Sequence, residues 1–237
     1  MKLANFLAAH AMRTPQREAI KSPDATVTFA QVEADSTRLA NSLIERGLKI
    51  GDRVAVSMGN RVEFLTAFMG AVKAGGIVVT PNPRLSVSEL KFILSDATPA
   101  AFIYDRETLE QLVETEDSSW THGLHYNVDL SEGREDVSEF EEIGLPLLSR
   151  QPSHKILRDI PPEFDDCMIS YTSGTTGRPK GVILTQANYI TSNGFLNAQQ
   201  LGMGADDRIL TTTPLAHRTA FGRLMNVVCL GSSLVIM

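Results

Sequence analysis

Residues 172–181 read Thr-Ser-Gly-Thr-Thr-Gly-Arg-Pro-Lys-Gly, and this stretch carries the most specific chemical signal in the sequence. Four hydroxyl side chains, three glycines and one lysine fall within ten residues. Glycine lets the backbone adopt positive φ and approach an anion closely, and successive backbone N–H groups in such turns form an anion-binding concavity. The hydroxyls add donors that rotate toward phosphate oxygens, and Lys180 adds a point charge that suits phosphate. The stretch therefore predicts a phosphate-binding loop.

This loop differs from the common nucleotide P-loop. The second glycine of that motif lies five positions after the first and precedes Lys-Ser/Thr, whereas counting from Gly174 brings the chain to Pro179. The common motif also opens a helix, but residues 181–184 have the composition of a strand. We therefore predict a loop between two strands that holds anions through its amides, hydroxyls and Lys180. A polar hairpin turn is the alternative, because Ser, Thr and Gly are frequent in turns.

Outward from the loop, strands alternate with helices, which predicts parallel β-α-β packing. Two helices are predicted to start at capping boxes: one runs from Thr28/Gln31 to Gly47, and the other runs from Ser86/Glu89 to about residue 97. Further helices are predicted at 3–12, 61–74, 188–201 and 221–230. Strands are predicted at 18–21, 26–29, 53–58, 77–80, 100–104, 167–172, 182–185, 208–212 and 233–237. The fold class is therefore α/β, with mostly parallel sheets flanked by helices.

The amino-acid composition limits the classes of protein to which this chain can belong. Among the 237 residues, 43% are hydrophobic and 21% are charged, which fits a packed core. The net charge of −6 argues against a nucleic-acid-binding protein, which normally has a basic face. Residues 105–142 hold 13 of the 28 acidic residues, and we interpret this segment as a solvated surface excursion. The proline-punctuated stretch 146–162 is interpreted as a linker or surface crossing.

Two cysteines, Cys167 and Cys229, are too few for a disulfide framework or a structural zinc site. Each lies in an apolar run, so buried free thiols and a cytoplasmic location are expected. The first residues lack the apolar region of a signal peptide, and no stretch approaches the roughly 18 apolar residues of a membrane helix.

Residues 171–181 resemble the signature phosphate loop of the adenylate-forming superfamily, which includes acyl-CoA synthetases, luciferases and peptide-synthetase adenylation domains. Val27-Thr-Phe29 with Gly51-Asp-Arg-Val54 is similar to the family's opening, and Val72-Lys-Ala-Gly-Gly76 with Thr80-Pro-Asn-Pro83 is similar to its early core motif. Pro214-Leu-Ala-His217 resembles a Pro-Leu-aromatic-His stretch near the acyl pocket, although Ala216 replaces the aromatic residue. The resemblance covers nearly the whole chain and is weakest at 105–160.

The resemblance implies an ATP- and magnesium-dependent ligase that makes an acyl-adenylate and then a CoA thioester. Residues implied to hold the β- and γ-phosphates are Ser173, Gly174, Thr175, Thr176, Gly177 and Lys180. Thr172 is implied to contact the nucleotide and to ligate magnesium, and Lys180 is the expected catalytic charge partner. His217 is expected near the acyl group, with a hydrogen-bonded core histidine as the alternative. The partners are the carboxylic acid, ATP and CoA, without a nucleic acid, and a homodimer is compatible with this assignment.

The chain is expected to form the N-terminal part of the AMP-binding domain, with sub-regions 1–104, 105–160 and 161–237. The family's ribose-binding aspartate, hinge and C-terminal-domain lysine are expected beyond Met237, so these 237 residues alone are expected not to form acyl-adenylate.

Two alternatives stay open at this point. One is an amino-acid adenylation domain, although Thr175-Thr176 and Pro81-Asn-Pro83 are more typical of CoA ligases. The other is a truncated, non-catalytic anion-binding or interaction module.

Overall fold

The computed structural model describes residues 2–114, 120–130, 136–137, 140–145, 148, 153, 158–172 and 179–237. Its helices are α1 (Leu3–Arg13), α2 (Phe29–Glu45), α3 (Glu63–Lys73), α4 (Val87–Ala97), α5 (Arg106–Val113), α6 (Gln186–Tyr189), α7 (Asn197–Leu201) and α8 (Arg218–Leu230), with a π-helical segment (Ile190–Leu196) between α6 and α7. Its strands are β1 (Glu18–Lys21), β2 (Thr26–Thr28), β3 (Arg53–Ser57), β4 (Ile77–Val79), β5 (Ala101–Tyr104), β6 (Leu124–Asn127), β7 (Asp136–Val137), β8 (Phe140–Gly144), β9 (Asp166–Thr172), β10 (Lys180–Thr185), β11 (Arg208–Thr211) and β12 (Ser233–Ile236).

Two sheets organise these elements. The larger sheet has the order β10-β9-β4-β3-β5-β6-β8-β7, and the smaller has the order β11-β12-β1-β2. Pairing in the larger sheet is parallel except at β9–β10 and β7–β8. In the smaller sheet only β1–β2 is antiparallel, and β1 pairs with the distant β12 by setting Ile20 beside Leu234. The prediction of mostly parallel sheets in an α/β fold is confirmed.

Helices cover both faces of the larger sheet. In β5, Ala101 and Ile103 belong to the core that contains α2 and α3, whereas Phe102 and Tyr104 pack with buried residues of α4 and α5. Successive side chains of a strand point to opposite faces, so this alternation places the two helix pairs on opposite sides. Burial on both faces explains why the central strands read as continuous apolar runs.

The predicted helix starts are confirmed where capping boxes were identified. Thr28 accepts from the backbone N–H of Gln31, and Ser86 accepts from that of Glu89, with both reciprocal bonds present. Each pair satisfies two backbone donors that the first turn of a helix leaves without partners. Local sequence therefore sets the starts of α2 and α4.

A buried ion pair joins α2 to α3. The Lys73 side chain is 3% exposed, and its Nζ lies 2.8 Å from Oε2 of Glu33. Nζ also donates to the hydroxyls of Ser36 and Thr37 at 2.8 and 3.0 Å. Burial lowers the pKa of Lys73, and the nearby Glu33 carboxylate opposes that shift.

The helix after β10 differs from the regular helix expected at 188–201. It starts at Gln186, is capped by Thr185, and widens into the π-helical segment. Within that segment, a Cβ at Gly194 would lie 3.3 Å from Cβ of Cys229, and Asn193 donates to the carbonyl of Gly222 at 2.8 Å. The π-helical segment therefore packs closely against α8 where its turns are wider than those of an α-helix. Hydrophobic periodicity in the sequence does not reveal a contact of this kind.

The acidic segment 105–142 contains a buried strand, although its charge predicted a solvated surface segment. Strand β6 lies inside the larger sheet between β5 and β8, and its His125, Tyr126 and Asn127 are buried. The Tyr126 hydroxyl lies 2.9 Å from Oγ of Ser42 on α2. The surface interpretation is therefore wrong for this strand. Two of its four residues, His125 and Asn127, are polar, so local sequence gives no apolar pattern, and its place in the sheet depends on distant partners.

The two cysteines are free and buried, as expected. Burial raises the pKa of Cys229 to about 12 and raises that of Cys167 further. Both thiols are therefore protonated and inert near neutral pH. Among residues with described positions, no helix has the length and apolar character needed to cross a membrane.

Candidate functional site

The β9–β10 hairpin frames the predicted phosphate loop, and the prediction of a strand-to-strand connection is confirmed. Thr172 and Lys180 are cross-strand partners at the mouth of this loop. Directly opposed residues of an antiparallel pair project from the same face, with Cβ atoms about 5 Å apart. The predicted phosphate-binding residues Ser173, Gly174, Thr175, Thr176 and Gly177 lie outside the described residues.

Both described residues at the loop mouth are accessible. Thr172 and Lys180 are exposed, and Lys180 forms no ion pair or side-chain hydrogen bond with any described residue. Its ammonium group is therefore available to a ligand. In the described ranges, no group of three or more His, Cys, Asp or Glu residues is placed to hold a metal ion. The hydroxyl of Thr172 could supply one oxygen ligand.

The loop mouth lies at the carboxyl edge of the parallel strands. Strand β4 runs parallel to β9, with Val79 beside Ile169, so the two strands end at the same edge. Thr80 directly follows β4, is buried, and its Oγ1 has no hydrogen-bond partner among the described residues. Ligands of open α/β sheets bind at this edge. Sequence reasoning quoted Thr80 within a motif but did not predict it as a site residue.

Tyr171 anchors the hairpin to α4. Its hydroxyl donates to Oδ2 of Asp96 at 2.6 Å, and burial raises its pKa. Its ring lies across Gly181, where an added Cβ would be 3.4 Å from Tyr171 Cζ and 2.8 Å from Ile169 Cγ2. The glycine after Lys180 is thus required by packing, because a side chain there would displace its strand neighbours.

Replacing Tyr171 with phenylalanine is expected to lower the free energy of unfolding by about 1 kcal/mol, the usual contribution of one hydrogen bond. Urea unfolding of the 237-residue chain measures the change. In an Asp96→Ala background the same replacement should have a much smaller effect. Additive losses in the double variant would show that the hydrogen bond to Asp96 is not the cause.

His217 caps the start of helix α8 and is exposed, so it is not a core histidine within the described part of the chain. Its Nδ1 accepts from the backbone N–H of Thr219 at 3.3 Å. Because Nδ1 is the acceptor, the neutral ring carries its proton on Nε2, which can donate to a ligand. Its proposed proximity to an acyl group stays a prediction.

A comparison with protein families decides the assignment. The family model described as "AMP-binding enzyme" matches residues 7–237. The chain belongs to this family.

Among curated members of the AMP-binding family, a feruloyl-CoA synthase of Amycolatopsis sp is 30% identical over 229 residues, covering 96% of this chain and 41% of that protein. The long-chain-fatty-acid–CoA ligase FadD13 of Mycobacterium tuberculosis is 31% identical over 237 residues, covering 98% of this chain and 44% of that ligase. A dimodular nonribosomal peptide synthase of Bacillus subtilis is 27% identical over 247 residues, covering 100% of this chain and 9% of that protein.

The solved structures give the same fold. An inhibitor-bound N-terminal domain of FACL13 from Mycobacterium tuberculosis superposes with a TM-score of 0.83 at 30% identity, covering 100% of this chain and 57% of that one. Compared with the two CoA ligases named above, the feruloyl-CoA synthase and FadD13, the chain spans about two fifths of their length.

Asn60 is a residue of this member of the AMP-binding family that sequence reasoning missed. It follows β3, and its Oδ1 accepts from the backbone N–H of Leu215 at 2.8 Å. Its Nδ2 donates to the carbonyls of Thr213 and Met237 at 3.2 and 3.0 Å. Asn60 therefore fixes the segment that precedes His217. No local pattern signals this role, because all three partners lie more than 150 positions away.

Replacing Asn60 with aspartate should destabilise the chain by about 1–3 kcal/mol, because two carbonyls lose their donor and face a carboxylate oxygen. Thermal and urea unfolding measure the effect. The matched control is Asn82→Asp, since the side chain of Asn82 accepts from the N–H of Arg84 and aspartate can do the same. Equal losses at both positions would contradict the role assigned to Asn60.

Proposed function

We propose that the chain is part of an acyl-CoA ligase that activates a carboxylic acid with ATP. The observation that carries this proposal is the pairing of Thr172 with Lys180 at the mouth of the glycine- and hydroxyl-rich loop, at the carboxyl edge of the sheet. A hydroxyl and an unpaired ammonium group at such a position suit a polyphosphate. The similarity to CoA ligases supports the assignment of a reaction class to this anion-binding site.

In the proposed first step, a carboxylate oxygen attacks the α-phosphorus of ATP, and the bond to the bridging oxygen of pyrophosphate breaks. Negative charge accumulates on the departing pyrophosphate, so a fixed cation beside it lowers the barrier. Lys180 supplies that cation. In the second step, the sulfur of CoA attacks the acyl carbonyl and AMP leaves.

Magnesium in this reaction would neutralise phosphate charge and orient the leaving group. The available oxygen of Thr172 fits an ion that is held mainly by nucleotide phosphates and water, as magnesium usually is. His217 would lie near the acyl group and donate through Nε2. A cytoplasmic location is part of the same proposal, because both thiols are free.

The experiment uses the full-length protein that contains this chain. Acid-dependent exchange of pyrophosphate into ATP reports adenylation, and thioester formation identifies the acceptor. Exchange followed by a CoA thioester supports the proposal. Exchange with transfer only to a carrier protein would favour a peptide-synthetase domain, which the 27% identity to such a protein keeps as the second candidate. Nucleotide binding without exchange for any acid would favour a non-catalytic module.

A further inference from the structure

A cavity of about 440 Å³ opens between β10, the following helix and the start of α8. Its lining includes Leu184 from β10, the polar residues Asn188, Thr191 and Ser192, and Arg218 from α8. Arg218 is the charged residue of this lining. The cavity therefore combines one cation with several hydrogen-bonding groups.

The hydroxyl of Ser192 donates to the carbonyl of Asn188 at 2.6 Å, but two other donor groups of the cavity have no acceptor among the described residues. Arg218 is exposed and makes no ion pair or hydrogen bond with any residue that the structure describes. Asn188 uses its Oδ1 to accept from the N–H of Thr185 at 2.9 Å, so its amide N–H groups point away from that bond. A guanidinium and an amide that both lack an acceptor match a carboxylate or another anionic group.

The cavity lies along the same strand as the phosphate loop. Strand β10 begins at Lys180 and reaches the cavity at Leu184. Four residues of an extended strand span about 13 Å. On the α8 side, Arg218 directly follows His217, the residue proposed to lie near the acyl group. A substrate whose reacting carboxylate lies near the loop and whose chain follows β10 would bring its distal end to the cavity that Arg218 lines.

We infer that Arg218 binds a carboxylate at the distal end of the acid substrate, which makes the acid a dicarboxylate. This inference rests on the proposed function and names its substrate class. A planar guanidinium binds a carboxylate through two parallel hydrogen bonds, and an uncharged chain end would leave the cation without a partner. The phosphates of CoA have similar anionic chemistry, so the test separates the two sources.

The test measures acid-dependent ATP–pyrophosphate exchange by the full-length protein, without CoA. Monocarboxylic and α,ω-dicarboxylic acids are compared as pairs of equal chain length. We expect a lower KM for a dicarboxylate than for its monocarboxylate partner. Arg218→Gln should raise that KM about 10- to 100-fold, the size expected for one charge-assisted bidentate contact, and should leave the monocarboxylate unchanged. Arg218→Lys should lie between, because it keeps the charge without the paired geometry.

Arg223→Gln is the matched control, since it removes an arginine from the same helix but not from the cavity lining. It should leave both values of KM unchanged. A protein that activates monocarboxylates equally well or better would overturn the inference while the proposed function stands. A second assay, of thioester formation at varied CoA, separates the two sources of negative charge. An Arg218→Gln effect on the KM for CoA, with the KM for the acid unchanged, would assign the residue to the phosphates of CoA and would also overturn the inference. Absence of exchange with every acid would reject the proposed function and this inference together.

Discussion

Replacing Lys180 with alanine is expected to reduce acid-dependent ATP–pyrophosphate exchange by the full-length protein about 10²- to 10³-fold. This is the usual cost of removing one fixed group that stabilises charge in a transition state. Binding of the acid should change much less, because the charge that Lys180 meets develops on pyrophosphate and not on the acyl group. Steady-state exchange at varied acid and ATP concentrations separates the loss in kcat from any change in KM.

Lys49→Ala is the matched control for this experiment, because Lys49 is also exposed but lies in the turn before β3. It should exchange pyrophosphate like the parent protein. Circular dichroism and the unfolding midpoint establish that the Lys180 variant is folded. An unchanged exchange rate in a folded Lys180→Ala protein would remove the lysine from the reaction.

Replacing Glu33 with glutamine is expected to lower the free energy of unfolding of the chain by about 3 kcal/mol at pH 7. The change leaves the 3%-exposed Lys73 side chain without its carboxylate partner at 2.8 Å, and an uncompensated buried charge is strongly destabilising. Lys73→Met, which removes the charge and keeps an apolar stem, should cost much less. Chemical unfolding of the three proteins in parallel measures both effects, and equal losses would contradict the explanation by charge.

The loss caused by Glu33→Gln should also shrink as pH rises above neutrality. Burial already lowers the pKa of Lys73 in the folded protein below its ordinary value, and removal of Glu33 lowers it further. The unfolded chain then binds more protons than the folded chain, so stability rises with pH in this range. Unfolding measured from pH 7 to 10 should bring the variant closer to the parent, and a constant difference would contradict the mechanism.

Much of the fold follows from local sequence. Thr28 with Gln31 and Ser86 with Glu89 mark their helix starts because capping is a contact across three residues. Strand β6 and the π-helical segment were not predicted, because each depends on distant partners. Tyr126 contacts α2, and Gly194 packs against Cys229.

The residues of the candidate site also fall into two groups, those that the sequence predicts and those that only the structure reveals. Lys180 and Thr172 belong to one contiguous motif, so their position at the two ends of one loop between strands was predictable from order and spacing. Asn60 and Arg218 carry no such signal. Asn60 forms hydrogen bonds with a segment more than 150 positions away. Arg218 becomes a candidate only because it lines a cavity together with residues of β10 and the following helix. Tertiary structure, not motif spacing, identifies residues of this kind.

The pairing of β1 with β12 has a consequence for synthesis of the chain. Ile20 is separated from its partner Leu234 by 214 positions, the difference of their numbers. At about 5–20 residues per second, a ribosome takes roughly 10–40 s to add that length. During this interval the β1–β2 hairpin lacks its third strand, and an isolated two-stranded hairpin is marginally stable in water. The smaller sheet therefore closes only after β12 has been synthesised, later than β3, β4 and β5 of the larger sheet.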